Sequence, residues 1–149
     1  MADEGSGSGR CEAFDDHPSS HRPPLVFTDL VVGEEYGPLE YELTADALEL
    51  YRTAVGDPGA TFATIASKDY VTLLRTRYTT GDVVNAHHES RYHRPPAVGS
   101  RIQVRGRLAD RYVRRERQFI VIETVSRNEA GEVLVESRTT LALGRPRTC

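Results

Sequence analysis

The sequence predicts an α+β domain in which one long buried helix is wrapped by an antiparallel sheet of about five strands. Three observations predict it. Apolar residues recur at spacings of three and four through Phe62, Ile65, Ala66, Tyr70, Leu73, Leu74 and Tyr78, which is the period of a helix. From Val83 onward the period falls to two, the period of strands. The length of 149 residues holds one ordinary domain with a real core and is too short for two comfortable ones.

Each element follows from local chemistry. Residues 1–24 are rich in Gly, Ser, Pro and acids, with too little apolar content to offset the entropy of ordering, so they read as a disordered tail. The domain proper is expected over 25–144, with a short tail at 145–149. Order begins at Leu25-Val26-Phe27, turns at Gly33 and enters a short strand at Leu39–Leu43, where apolar and acidic residues alternate. Thr44 suits an N-cap, and Ala45 to Val55 reads as a helix with Ala47, Leu48, Tyr51 and Val55 on one face. Gly56 closes it in the left-handed conformation, and Pro58 forbids continuation. The central helix starts at its cap Thr61 and runs for about 25 Å at 1.5 Å per residue.

In the strand region Ile102, Val104, Leu108 and Tyr112 fall on even positions, and Arg101, Gln103, Arg105, Arg107 and Arg111 on odd ones, giving one buried and one charged face. Phe119-Ile120-Val121-Ile122 is apolar on both faces, which predicts a central strand. Residues 128–132 form a Gly-containing hairpin loop, and Val133, Val135, Leu141 and Leu143 resume the alternation. Arg94-Pro95-Pro96 fixes the geometry of a strand-to-turn passage. No internal repeat and no Gly-rich phosphate loop interrupts this order.

Composition narrows the function. No apolar run approaches the roughly 18 residues of a membrane span, and the acidic first residues lack the pattern of an export signal, which predicts a cytoplasmic protein. Cys11 and Cys149 lie in opposite tails and fit neither a disulfide framework nor a zinc site, so no metal is expected. The net charge of −3 hides a split. Residues 1–57 carry thirteen acids and three Arg, a balance of −10; residues 58–149 carry nine acids, fifteen Arg and one Lys, a balance of +7. The two halves either compensate each other within one fold or present a basic face to a polyanion. A nucleic-acid partner is the weakest version, because the aromatics are not interleaved with the Arg and the pI is near 6.0.

Tyr92-His93-Arg94-Pro95-Pro96-Ala97-Val98-Gly99, the Arg-bearing strand after it, and the ending from Asn128 through Glu136-Ser137 to Leu141 resemble the MaoC-like hot-dog dehydratases. The likeness spans about residues 28–143 and is greatest to the N-terminal or partner-subunit type of (3R)-hydroxyacyl thioester dehydratases. It implies a hot-dog fold, pairing into a homodimer or a heterodimer with a second hot-dog subunit, and 3-hydroxyacyl or enoyl thioesters on coenzyme A or an acyl carrier protein. Fatty-acid or polyketide-type metabolism is implied, with no cofactor beyond the carrier.

Hydratases of this superfamily use an Asp and a His in a Gly-Asp-x-Asn-Pro-x-His motif to move water by general acid–base transfer. This chain has Gly56-Asp57-Pro58-Gly59-Ala60-Thr61-Phe62, so Asp57 matches while Gly59 stands for Asn and Phe62 for His. The resemblance makes Asp57 one catalytic candidate, with His87 or His88 replacing the missing His. It also gives the helix N-terminus at Ala60, Thr61 and Phe62 to the thioester carbonyl. Arg105, Arg107, Arg114 and Arg115 are the candidates for carrier or coenzyme A phosphates. Plainer roles stand beside each: helix capping for Asp57 and Thr61, a polar strand for the histidines, a solvated face for the arginines. Two functions remain open, a dehydratase in its own right and a thioester-binding partner subunit.

Overall fold

The computed structural model describes residues 22–60 and 69–144. Five strands form one antiparallel sheet: β1 (Glu35–Glu42), β2 (Val83–Tyr92), β3 (Arg101–Arg114), β4 (Arg117–Arg127) and β5 (Val133–Leu143). Their order in space is β1-β3-β4-β5-β2, so the strand that follows the second helix in sequence closes the far edge. Two helices are described, α1 (Ala45–Val55) and α2 (Asp69–Arg77), after a short 3-10 turn at Phe27–Asp29. The described part of the predicted long central helix is therefore the nine residues of α2, and Phe62, Ile65 and Ala66 lie outside the described residues.

Helix α1 begins and ends where its sequence requires. Thr44 Oγ1 accepts the Ala47 N–H at 3.2 Å, and Gly56 closes the helix with φ +70°. The predicted apolar face is narrower than its pattern. Leu48 is buried and Tyr51 half-buried, but Ala47 and Val55 are exposed.

Helix α2 lies on the inner face of the sheet through Tyr70, Leu73 and Leu74. Leu73 is fully buried over two glycines, Gly37 of β1 and Gly106 of β3. A Cβ on Gly106 would stand 3.0 Å from Leu73 Cδ1 and 3.2 Å from the Glu123 carbonyl oxygen. A Cβ on Gly37 would stand 2.9 Å from the Val104 carbonyl oxygen. Absent side chains thus set how closely the helix approaches the sheet.

Register explains the two faces. Even residues of β3 up to Leu108 point inward with Ile120, Ile122 and Thr124 of β4, and odd residues point outward. A bulge between Leu108 and Asp110 then reverses the parity. Tyr112, expected on the buried side, instead stacks on Phe119 of the outer face, with ring centroids 5.2 Å apart. Arg111, expected among the solvated arginines, turns inward and donates from Nη1 to the Phe27 carbonyl at 2.6 Å, with its guanidinium 5.2 Å from the Phe27 ring centroid.

That contact anchors the entering chain. Thr79 N–H donates to the Pro23 carbonyl at 2.8 Å and Leu25 N–H to the Thr79 carbonyl at 3.0 Å, so ordered pairing extends back to Pro23. The inner face itself is divided. Towards β1 it is apolar, with Leu39, Ile102, Val104, Leu108, Ile120 and Ile122. Towards β2 the polar residues Thr124, Ser126, Ser137, Thr139, His88 and Ser90 stand between the core residues Val135 and Leu141 of β5.

Candidate functional site

Asp57 sits in the exposed turn after α1, where its Oδ1 accepts the Gly59 N–H at 2.8 Å and its carbonyl accepts the Ala60 N–H at 3.2 Å. This is an Asx-type turn, the plainer of its two roles. Ala60 is half-buried, and its carbonyl accepts from Arg52 Nε at 3.3 Å. Thr61 and Phe62 lie outside the described residues.

The histidines part company because successive residues of a strand face opposite ways. His87 is exposed on the outer face beside Glu89, Nε2 to Oε1 3.1 Å. His88 points inward beneath α2, with its ring centroid 5.9 Å from that of Tyr70. Its Nδ1 is 2.8 Å from Thr139 Oγ1 and its Nε2 is 2.8 Å from Ser90 Oγ, which is in turn 2.9 Å from Ser137 Oγ. Asn85 Nδ2 donates to the Tyr70 hydroxyl at 3.2 Å, which holds that ring in place. Burial lowers the pKa of His88, helped by the nearby His87, so the imidazole is neutral at pH 7. A neutral imidazole between hydroxyls can accept a proton.

A second polar group lies farther along the inner face. Tyr41 donates to Asp69 Oδ2 at 3.1 Å, and Ser126 also hydrogen-bonds this carboxyl. Burial pushes the pKa of Asp69 up to about 6, against the two hydrogen bonds, which favour the charged form. Ser126 lies four residues along β4 from Ile122, the residue opposite Thr139. At about 3.4 Å per residue that is about 14 Å of strand, so the Asp69 and His88 groups occupy separate ends of the polar half.

The arginines separate likewise. Register lines up Glu35, Arg107, Glu123, Arg138 and Glu89 across all five strands of the outer face. Within this alternating row Arg107 Nη2 is 2.7 Å from Glu123 Oε2, and Arg138 pairs with the other oxygen of the same carboxylate. Hydrogen bonding from Arg107 holds the Glu123 pKa below its usual value, with Arg138 adding to the effect. Arg105 donates from Nε to Gln103 at 3.3 Å. Arg114 and Arg115 stand apart from this row at the exposed β3–β4 hairpin tip, where Arg115 and Glu116 form the two-residue turn with φ +48° and +61°. A shallow outer groove nearer β2 is lined by Glu89, Arg91, Glu123, Glu136 and Arg138, a mixture of signs that does not select an anion. Among the described residues no group of three or more His, Cys, Asp or Glu could hold a metal ion.

Three features lay beyond the sequence reading, and each left a trace. Asp69 interrupts the apolar stripe of the predicted helix. Ser137 and Thr139 occupy two odd positions within the otherwise apolar series from Val133 to Leu143. Ser90 shares the parity of His88.

No protein-family model and no curated protein matches the chain. Solved structures do match. A monoamine oxidase regulatory protein from Archaeoglobus superposes with TM-score 0.67 at 15% identity, over 85% of this chain and 98% of that one. A MaoC-like dehydratase from Rhodospirillum rubrum gives 0.65 at 16%, over 83% and 99%. A chain of the C-terminally truncated (3R)-hydroxyacyl-ACP dehydratase complex of Mycobacterium tuberculosis gives 0.63 at 19%, over 78% and 99%. The chain therefore has the hot-dog fold shared by the MaoC-like dehydratases.

Proposed function

We propose that this chain is a thioester-binding subunit of a hot-dog dehydratase or hydratase, acting beside a second hot-dog subunit that supplies the complete Asp/His pair. The observation that carries this reading is how the chain uses its own candidates. The Asp57 carboxylate is committed to the Gly59 N–H in an exposed turn, and Phe62 stands where the dehydratase motif has its His. Strand β2 supports the pairing. It forms one edge of the sheet, ten residues long, and a long edge invites a further strand. The Mycobacterium tuberculosis neighbour is itself a complex, which fits the same arrangement. The acyl group would ride on coenzyme A or a carrier protein, and no other cofactor is called for.

Turnover of crotonyl-CoA tests the proposal, measured with the chain alone and with a co-purified hot-dog protein carrying the full motif. Hydration is expected only in the complex and unchanged by Asp57→Asn. Hydration by the chain alone, abolished by Asp57→Asn, would overturn it.

A further inference from the structure

We propose that Ser90 and His88 form a nucleophile–base pair that accepts the acyl group of a thioester and hydrolyses it, giving this chain an acyl-transfer activity of its own. The substrate class rests on the thioester reading above, whereas the pair rests on geometry alone. His88 and Ser90 are two residues apart on β2 and so share the inner face. Ser90 Oγ lies 2.8 Å from Nε2, within reach for proton transfer, and Nδ1 lies 2.8 Å from Thr139 Oγ1. Thr139 is fully buried, so the group that orients the imidazole is fixed by the core. Nucleophile, base and orienting group therefore follow in sequence, which is the constellation of nucleophilic catalysis on any fold.

Exposure separates the parts by role. Thr139 and Ser137 are buried, while His88 and Ser90 are half-buried on the edge strand. An edge strand closing a core would gain more from apolar residues at positions 88 and 90, so the sequence departs here from what folding alone favours.

The chemistry balances without a further reactant except water. In the tautomer with the proton on Nδ1, that N–H donates to Thr139 and Nε2 accepts from Ser90. Ser90 Oγ bonds to the thioester carbonyl carbon as its proton passes to Nε2. The C–S bond then breaks, and the departing sulfur takes that proton to give the free thiol. Water, losing a proton to Nε2, attacks the resulting ester. Ser90 Oγ leaves and recovers the proton, releasing a carboxylic acid. Ser137 Oγ, 2.9 Å from Ser90 Oγ, is the hydroxyl placed to donate to the developing oxyanion.

The test uses the whole chain with two probes, butyryl-CoA and p-nitrophenyl butyrate, read by intact-protein mass spectrometry, peptide mapping and product release. A butyryl adduct on Ser90 is expected. It should be lost in Ser90→Ala, formed about 10²- to 10⁴-fold more slowly in His88→Gln, and regained on the thiol of Ser90→Cys. Thermal melts confirm that each variant is folded. Binding of a non-hydrolysable thioether analogue of butyryl-CoA is measured separately. An adduct from the nitrophenyl ester without thioether binding upholds the pair and removes the thioester substrate class. Folded wild-type protein that leaves both esters intact, or hydrolysis that persists fully in Ser90→Ala, overturns the proposal.

Discussion

Replacing Asp69 by Asn should make the protein more stable at neutral pH and no more stable in acid. The carboxyl is 6% exposed and its pKa rises from an ordinary 3.8 to about 6, chiefly through burial. Between those values the folded protein holds a proton that the unfolded chain has released, so the free energy of unfolding falls as pH rises from about 4 to about 6. Each pH unit is worth about 1.4 kcal/mol, so a displacement of roughly two units costs the wild type about 3 kcal/mol above pH 6. Asn is neutral at every pH and keeps an acceptor for the Tyr41 hydroxyl. Urea unfolding of both proteins from pH 3.5 to 7.5 checks this, and their difference isolates Asp69 from carboxylates such as Glu123, whose lowered pKa acts in the opposite sense. The expected difference is near zero at pH 3.5 and grows to about 3 kcal/mol in favour of Asn at pH 7.5. A variant equal to or weaker than the wild type at pH 7.5 would refute the reasoning.

Three further substitutions probe the frame around the site. Gly106→Ala places a Cβ 3.0 Å from Leu73 Cδ1 and should cost about 1–3 kcal/mol by overpacking. Leu73→Ala should cost about 2–5 kcal/mol alone, and in the double variant the two losses should add to less than their sum, as a denaturant double-mutant cycle will show. Arg111→Ala removes the bond to the Phe27 carbonyl and the contact with its ring, and should cost about 1–3 kcal/mol with faster amide exchange across residues 22–30. Unchanged exchange there would mean that Arg111 does not anchor the segment.

Patterns confined to one element were legible in the sequence. Thr44 and Gly56 bracket α1 as their chemistry dictates, and the opposite directions of His87 and His88 follow from strand alternation. Patterns that depend on pairing were not. The parity of β3 predicts Tyr112 inward and Arg111 outward, and only the extra residue opposite β4 at Ala109 reverses it. That bulge has no glycine to announce it. The arginine row looked like an anion surface because its partners come from other strands, with Glu123 sixteen residues from Arg107. Motif matching likewise drew attention to Asp57, whose carboxylate serves its own turn, and away from Asp69, whose significance comes from burial against Tyr41 and Ser126.

The division of the inner face explains why a site can exist here without weakening the fold. Leu73 and Leu74 pack over the apolar half, where Ile102, Val104, Leu108, Ile120 and Ile122 supply a continuous core and most of the burial energy. The half towards β2 is thereby free to carry groups that a core would not select. Its polar atoms satisfy one another: Ser90 with His88 and Ser137, His88 with Thr139, Asn85 with Tyr70, and among the described residues no buried side-chain nitrogen or oxygen lacks a partner. Polar groups satisfied in this way cost little at rest. They also lie on an edge strand of the sheet, so under the proposed pairing the polar residues of β2 would stand next to a second hot-dog unit.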